Sequence, residues 1–358
     1  SPNAGELNKS VVIRLREIVT LFRLAIERSR KEVDNQIDAV IRREFTSVHP
    51  SVEWRFEESA CRLIEKQEKG WKEAKEPPIV FRDVYPLYGQ ADIVQSSGVR
   101  NEAIQTDLVD NLYQIKKVLL TGIEHCRFPL LEQSLLETDE LINNLKQGIT
   151  SGNEFQATEF IRREIHPLFR EAKDKKAELT TAVSAYFDLL DDEMGIIYRR
   201  RKAYEDSVNR INAMISGYLD EEQVSAQQII PHFYEKYQTD GVAYNIYVGQ
   251  SMLRSGRFNR IYLSNLRLWQ LVTMCEITRR MGALQADLPI PLNTAQLILV
   301  HSTPLAIRFR LDEKRFDVDG TYNVRYEILK KRIDKALVNG TRERLTQAGK
   351  IAVVYQHE

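Results

Sequence analysis

The sequence predicts an α+β protein, an N-terminal helical bundle followed by a ferredoxin-like βαββαβ domain. Two observations carry that expectation. Apolar residues recur at spacings of three and four through most of the first 219 residues, and after Gly241 the pattern turns to short β-branched and aromatic runs separated by two helical segments. A third observation sets the domain count: at 358 residues the chain exceeds the ~250–300 residues at which a single core stops growing. The expected division is residues 1–230 for the bundle and 231–358 for the α+β part.

From Leu7 to Phe45 there is no proline or glycine, and Val11, Leu15, Ile18, Phe22 and Ala25, then Val33, Ile37, Val40 and Ile41, mark one long amphipathic helix. A helix of this kind, met almost at the start of the chain, fits a connecting coiled coil that self-associates or continues upstream. His49-Pro50 breaks it, and Ser51 is placed to cap a second helix reaching about Ala74. Residues 79–97, IVFRDVYPLYGQADIVQSS, read as a long ordered loop, because Pro86 and Gly89 interrupt both helical and strand patterns. Four helices follow: residues 100–124, 130–147, one opened by a Ser151-to-Glu154 capping box, and a very long one from Asp174 to about Leu219. Beyond Gly241 the expected elements are a strand at 242–249, a helix at 262–281, strands at 295–301 and 305–312 with 315–318 as an extension, a helix at 323–338 and a strand at 350–356.

Composition excludes several classes. No window approaches the ~18 apolar residues of a membrane helix, and the N-terminus has no basic segment leading into an apolar one, so a soluble cytoplasmic protein is expected. Cys61, Cys126 and Cys275 are far apart and in no CxxC spacing. The six histidines form no HxH or HExxH; His125 and Cys126 with Glu124 and Glu132 make the best metal grouping, and it is a poor one. GxxxxGK[ST], GxGxxG and GxSxG are absent, so no metal, cofactor or catalytic residue is expected, and an enzyme is the less favoured reading.

Two surfaces stand out. The 79–97 segment gathers Arg82, Asp83, Tyr85, Tyr88, Gln90 and Asp92, a mixture suited to a small polar pocket or a partner, or to plugging the end of the bundle. The net charge of zero hides an asymmetry: residues 231–358 hold 19 Lys and Arg against 12 Asp and Glu, or +7, which leaves −7 on the remainder. Arg308, Arg310, Lys314 and Arg315, with Arg342 and Arg344, form an expected basic face that docks on the acidic bundle or binds an anion.

The stretches FRDVYPLYGQADI (Phe81 to Ile93), FYEKYQTDGVAYNIYVGQS (Phe233 to Ser251), NLRLWQLVTMCEITR (Asn265 to Arg279) and FDVDGTYNVRYEILKKRIDKAL (Phe316 to Leu337) resemble the C-terminal half of a family of large bacterial proteins described as GAF-domain-containing. The resemblance implies a cytoplasmic signalling protein with a GAF domain upstream of Leu7, and it supplies no catalytic residues. The functional expectation is therefore a non-enzymatic regulatory or protein-interaction module. Two alternatives stay open. One is an RNA-binding sheet, in which Tyr247 of the NIYVG strand and Phe309 would stack on bases. The other is a cyclase-like enzyme, in which Asp312, Asp317 and Asp319 would hold metal ions.

Overall fold

The computed structural model describes residues 9–45, 48–69, 78–125, 128–319, 333 and 336–355. The α+β class holds, with a helical N-terminal region and a largely antiparallel sheet. Its organisation differs from the expectation at residues 79–97. Val80–Ile93 is not a loop but the central strand, β1, of the sheet. The other strands are β2 (Phe233–Thr239), β3 (Gly241–Gly249), β4 (Thr294–Val300), β5 (Leu305–Arg310), β6 (Arg315–Val318) and β7 (Ile351–Tyr355). The path is β2-β3-β1-β4-β7, with β5 pairing the first residues of β1 and β6 completing a hairpin with β5. The sheet thus draws on both sides of residue 230.

Three features hid β1. Pro86 has no N–H to give a ladder, yet here it lies opposite Tyr247 of β3 while its other edge falls in the gap between Val84↔Leu305 and Leu87↔Val300, where β5 gives way to β4. Asp83 at φ 55° forms a bulge that puts both Phe81 and Val84 on one face and so breaks the two-residue alternation. Gly89 is required by packing: a Cβ there would sit 2.5 Å from Cζ of Tyr244, whose ring crosses β1 at that point.

Each face of the sheet carries helices. On one, alternate residues Leu87, Ala91, Tyr244, Ile246, Val248 and Ile298 pack under α8 (Arg200–Ile229) and α9 (Arg260–Leu284). On the other, Phe81, Tyr88, Tyr247, Leu299, Ile307, Phe309 and Phe316 meet the end of α1 (Lys9–Glu44) and α2 (Glu53–Glu68). There Phe56 stands edge-on to Phe45 and Phe309 at 5.1 and 5.0 Å. Burial on both faces explains why β3 reads as an almost unbroken apolar run.

β3 and β4 both run antiparallel to β1 and are joined by α9, which makes a split βαβ unit. In a ferredoxin-like fold the inserted strand would be 305–312; here it is β1, so the strand order differs from that fold. The expected helix 323–338 lies almost wholly outside the described residues; its end does not, and Leu337 there forms a bridge to Arg344.

A third core belongs to helices alone: α3 (Ser96–His125), α4 (Pro129–Lys146), α5 (Ser151–Phe160), a π-helical turn Ile161–Ile165, α6 (His166–Ala172) and α7 (Ala177–Phe187). The cap of α5 is Thr150, exchanging hydrogen bonds with Asn153, one residue ahead of the expected Ser151–Glu154 pair. The expected single helix 174–219 is interrupted at residues 188–199. Asp191 accepts the amides of Glu193 and Met194, Gly195 takes φ 62°, and the chain restarts as α8. Arg199 gives α8 no side-chain cap; Asp107 of α3 replaces it, accepting the amides of Arg200 and Arg201 at 2.9 Å each.

Candidate interaction surface

The 36 residues of α1 span about 54 Å. Among the described residues only its last turns are anchored, through buried Val40, Ile41 and neighbouring Phe45. Before them, Leu15, Ile18, Val19, Leu21, Phe22, Leu24, Ile26 and Val33 are 46–66% exposed. Between Ile18 and Ile26 the polar residues are Thr20 and Arg23 alone. At 100° per residue the apolar side chains of that run cover an arc of about 220°, far wider than a surface helix needs. Such a helix requires a cover.

The six candidates on 79–97 do not converge. Arg82 and Asp83 are exposed at the bulge, and the Arg82 carbonyl accepts from the Ser251 hydroxyl. Tyr85 stacks on Phe258 at 5.8 Å on the α8/α9 side. The α1/α2 side holds Tyr88, Gln90 and Asp92, the Tyr88 hydroxyl donating to Gln90 Oε1 at 2.8 Å. This face brings them alongside three residues that sequence reading missed, Glu235, Tyr237 and Asn245; the Asn245 amide donates to Glu235 at 2.9 Å. Burial, with Glu235 next, raises the Tyr237 hydroxyl above its ordinary range. The register Tyr88↔Asn245↔Glu235 makes this a polar row across three strands. Strand alternation after Gly241 was the available signal for Asn245; β2 itself was not foreseen.

The three hairpin arginines of the expected basic face are paired with acids of the same hairpin. Arg308 pairs with Asp319 at 3.1 Å, and Arg310 with Asp312 at 2.7 Å, Glu313 at 3.0 Å and Asp317 at 3.3 Å; Arg315 pairs with Glu313. A hydrogen bond from Arg310 holds the Asp312 carboxyl below its usual range. Arg308 and Arg310 therefore answer acids of their own hairpin, and the three aspartates of the cyclase reading are the same acids. Lys314 takes φ 51° in the hairpin turn, and Arg342 and Arg344 lie on an exposed stretch near the C-terminus. Tyr247 and Phe309, the stacking residues of the RNA reading, are buried beneath α1 and α2; Tyr247 stacks on Phe233 at 6.1 Å. A covered face offers no platform for bases.

Two buried histidines are satisfied in place. His232 donates from Nδ1 to the Ile230 carbonyl at 2.8 Å and accepts at Nε2 from the Gln223 amide at 2.7 Å. Burial lowers its pKa to about 4. His166, just after the π-helical turn, meets the Tyr186 hydroxyl at 3.1 Å, and burial, then Arg170 and Arg162, likewise lowers it to about 4. Among the described residues no group of three His, Cys, Asp or Glu could hold a metal, and no helix is long and apolar enough to cross a membrane. His125 ends α3, and Cys126 lies outside the described residues.

Among the described residues, a cavity lies on either side of exposed Phe155 in the helical core. One, of about 300 Å³, is lined by Ile104, Leu108, Arg162, Ile196 and Arg201 among others. The other, of about 350 Å³, lies between α4 and α5 and is rimmed by Glu137, Glu140, Glu159 and Glu164. No protein-family model matches the chain, and neither a curated protein nor a solved structure is detectably similar to it.

Proposed function

We propose that this chain is a non-enzymatic interaction module that self-associates through α1, within a larger cytoplasmic signalling protein of the GAF-domain-containing kind its sequence resembles. The observation that carries the reading is the set of exposed apolar side chains between Leu15 and Val33, densest from Ile18 to Ile26, on a helix anchored at its other end. Burying such side chains contributes roughly 1.5–3 kcal/mol each, enough for a few of them to hold two chains together. The pairing of Asp312, Asp317 and Asp319 with hairpin arginines also supports a binding role over metal-dependent catalysis.

The test is sedimentation velocity over a range of concentrations, comparing the chain with Val19→Asp and Phe22→Asp. These positions are exposed, so the fold should survive. Reversible association of the wild type that both variants abolish is the expected result. A wild-type chain that stays monomeric at all concentrations would remove the reading.

A further inference from the structure

Self-association leaves open what α1 meets. The simplest partner is a second α1. Val12, Val19, Ile26, Val33 and Val40 are spaced as the a positions of a heptad, with Leu15 and Phe22 at d. That seam fails beyond Ile26, where the d positions are Ser29 and Gln36. Its e positions Arg16, Arg23 and Arg30 face Ile18 and Ala25 at g, so a parallel pair gains no cross-strand salt bridges from them, and an antiparallel pair sets arginine against arginine. Two strands would also leave Leu21 and Leu24 outside the seam. The helix asks instead for a broad, apolar and acidic receptor.

The chain has one. On α4 and α5 there are six acidic side chains against one lysine, while the sequence from Lys9 to Lys31 holds seven basic residues against two acidic. Between these two helices lies the 350 Å³ groove, floored by Leu141 and Phe160 and edged by Phe155. Phe155 is 68% exposed, and Leu136, one turn before Glu140, is 73% exposed. Of the rim acids, Glu159 is paired with Arg163 at 2.7 Å, which leaves Glu137, Glu140 and Glu164 to face a partner, and the arginines of the neighbouring cavity lie on the far side of Phe155. The 18 residues of α4 extend about 27 Å, the same length as the run from Leu15 to Val33.

We propose that the exposed part of α1 docks in the acidic α4–α5 groove of a second copy of this chain, its apolar arc on Phe155 and Leu136 and its arginines against Glu137, Glu140 and Glu164. The proposal rests on the self-association reading and deepens it.

Charge exchange tests it. One chain carries Glu140→Lys and Glu164→Lys, the other Arg28→Glu and Arg30→Glu, all at exposed sites; circular dichroism and thermal midpoint confirm each fold, and Phe155→Asp serves as an independent groove variant. Each variant alone should self-associate at least roughly tenfold more weakly than wild type, and mixing the two charge variants should restore association. Wild-type association should also weaken as salt rises from roughly 0.05 to 0.5 M. If the groove variants associate as wild type while Phe22→Asp is monomeric, the groove is overturned and self-association stands. A wild type that is monomeric throughout overturns both. Binding through α1 to vesicles of mixed phosphatidylcholine and phosphatidylserine, without self-association, would assign the helix to a lipid surface and overturn the groove.

Discussion

Acidification should unload the sheet domain through His232. The imidazole is 0% exposed, with both nitrogens engaged as the neutral Nδ1–H form. A rotated Gln223 could accept from a protonated Nε2, so the cost of charging this ring is chiefly desolvation, increased by any charge on nearby His49. Its pKa falls from 6.5 to about 4. The folded state therefore binds fewer protons than the unfolded one between those values. The stability is fully present above pH 6.5 and is lost as pH falls towards 4. At about 1.4 kcal/mol per pH unit the full loss is about 3 kcal/mol, of which about 2 kcal/mol has gone by pH 5. His166 adds a loss of the same sign in the helical core, so the pH dependence of the wild type alone does not isolate His232. The difference between wild type and His232→Gln does. Urea unfolding followed by circular dichroism should find the variant less stable at pH 7 and that gap narrowed by about 2 kcal/mol at pH 5. A gap that is equal at both pH values would refute the assignment.

Three further outcomes follow from packing. Gly89→Ala drives a Cβ into the Tyr244 ring and to within 2.6 Å of Met274 Cε, and should cost about 1–3 kcal/mol in chemical denaturation. Asp107→Ala strips the start of α8 of its cap and should lower stability by about 1–2 kcal/mol, with hydrogen exchange of the Arg200 and Arg201 amides accelerated more than that of the sheet. Phe56→Ala empties the centre of the aromatic cluster between α2 and the sheet; a loss of about 3–5 kcal/mol is expected, and a loss under 1 kcal/mol would mean that α2 is not seated there.

The legible parts of the sequence were those where one rule acted alone. Residues 242–249, 262–281 and 295–301 were foreseen as strand, helix and strand because β-branched runs and three-four spacing stood without competing signals. β1 was not, because Pro86 and Gly89 are breakers in any local reading and are reconciled only by neighbours distant in sequence, a gap between two partner strands and a tyrosine ring from a third. Tyr88, Gln90 and Asp92 were picked out for their composition, yet their grouping with Glu235 and Asn245 depends on register, which composition does not carry. The hairpin arginines were read as a surface seeking acid; acids two to eleven residues away already met them.

The position of β1 also governs how the chain is made. Ala91 pairs with Val242 and Leu87 with Val300, so the middle of the sheet leaves the ribosome some 150 residues before the first strand that flanks it. At about 5–20 residues per second that interval lasts roughly 8–30 s. The helices of residues 96–187 can close their own core meanwhile, since their contacts are local. Val80–Ile93 cannot: until Gly249 emerges both of its edges are open, which leaves this strand free to pair with the edges of other chains.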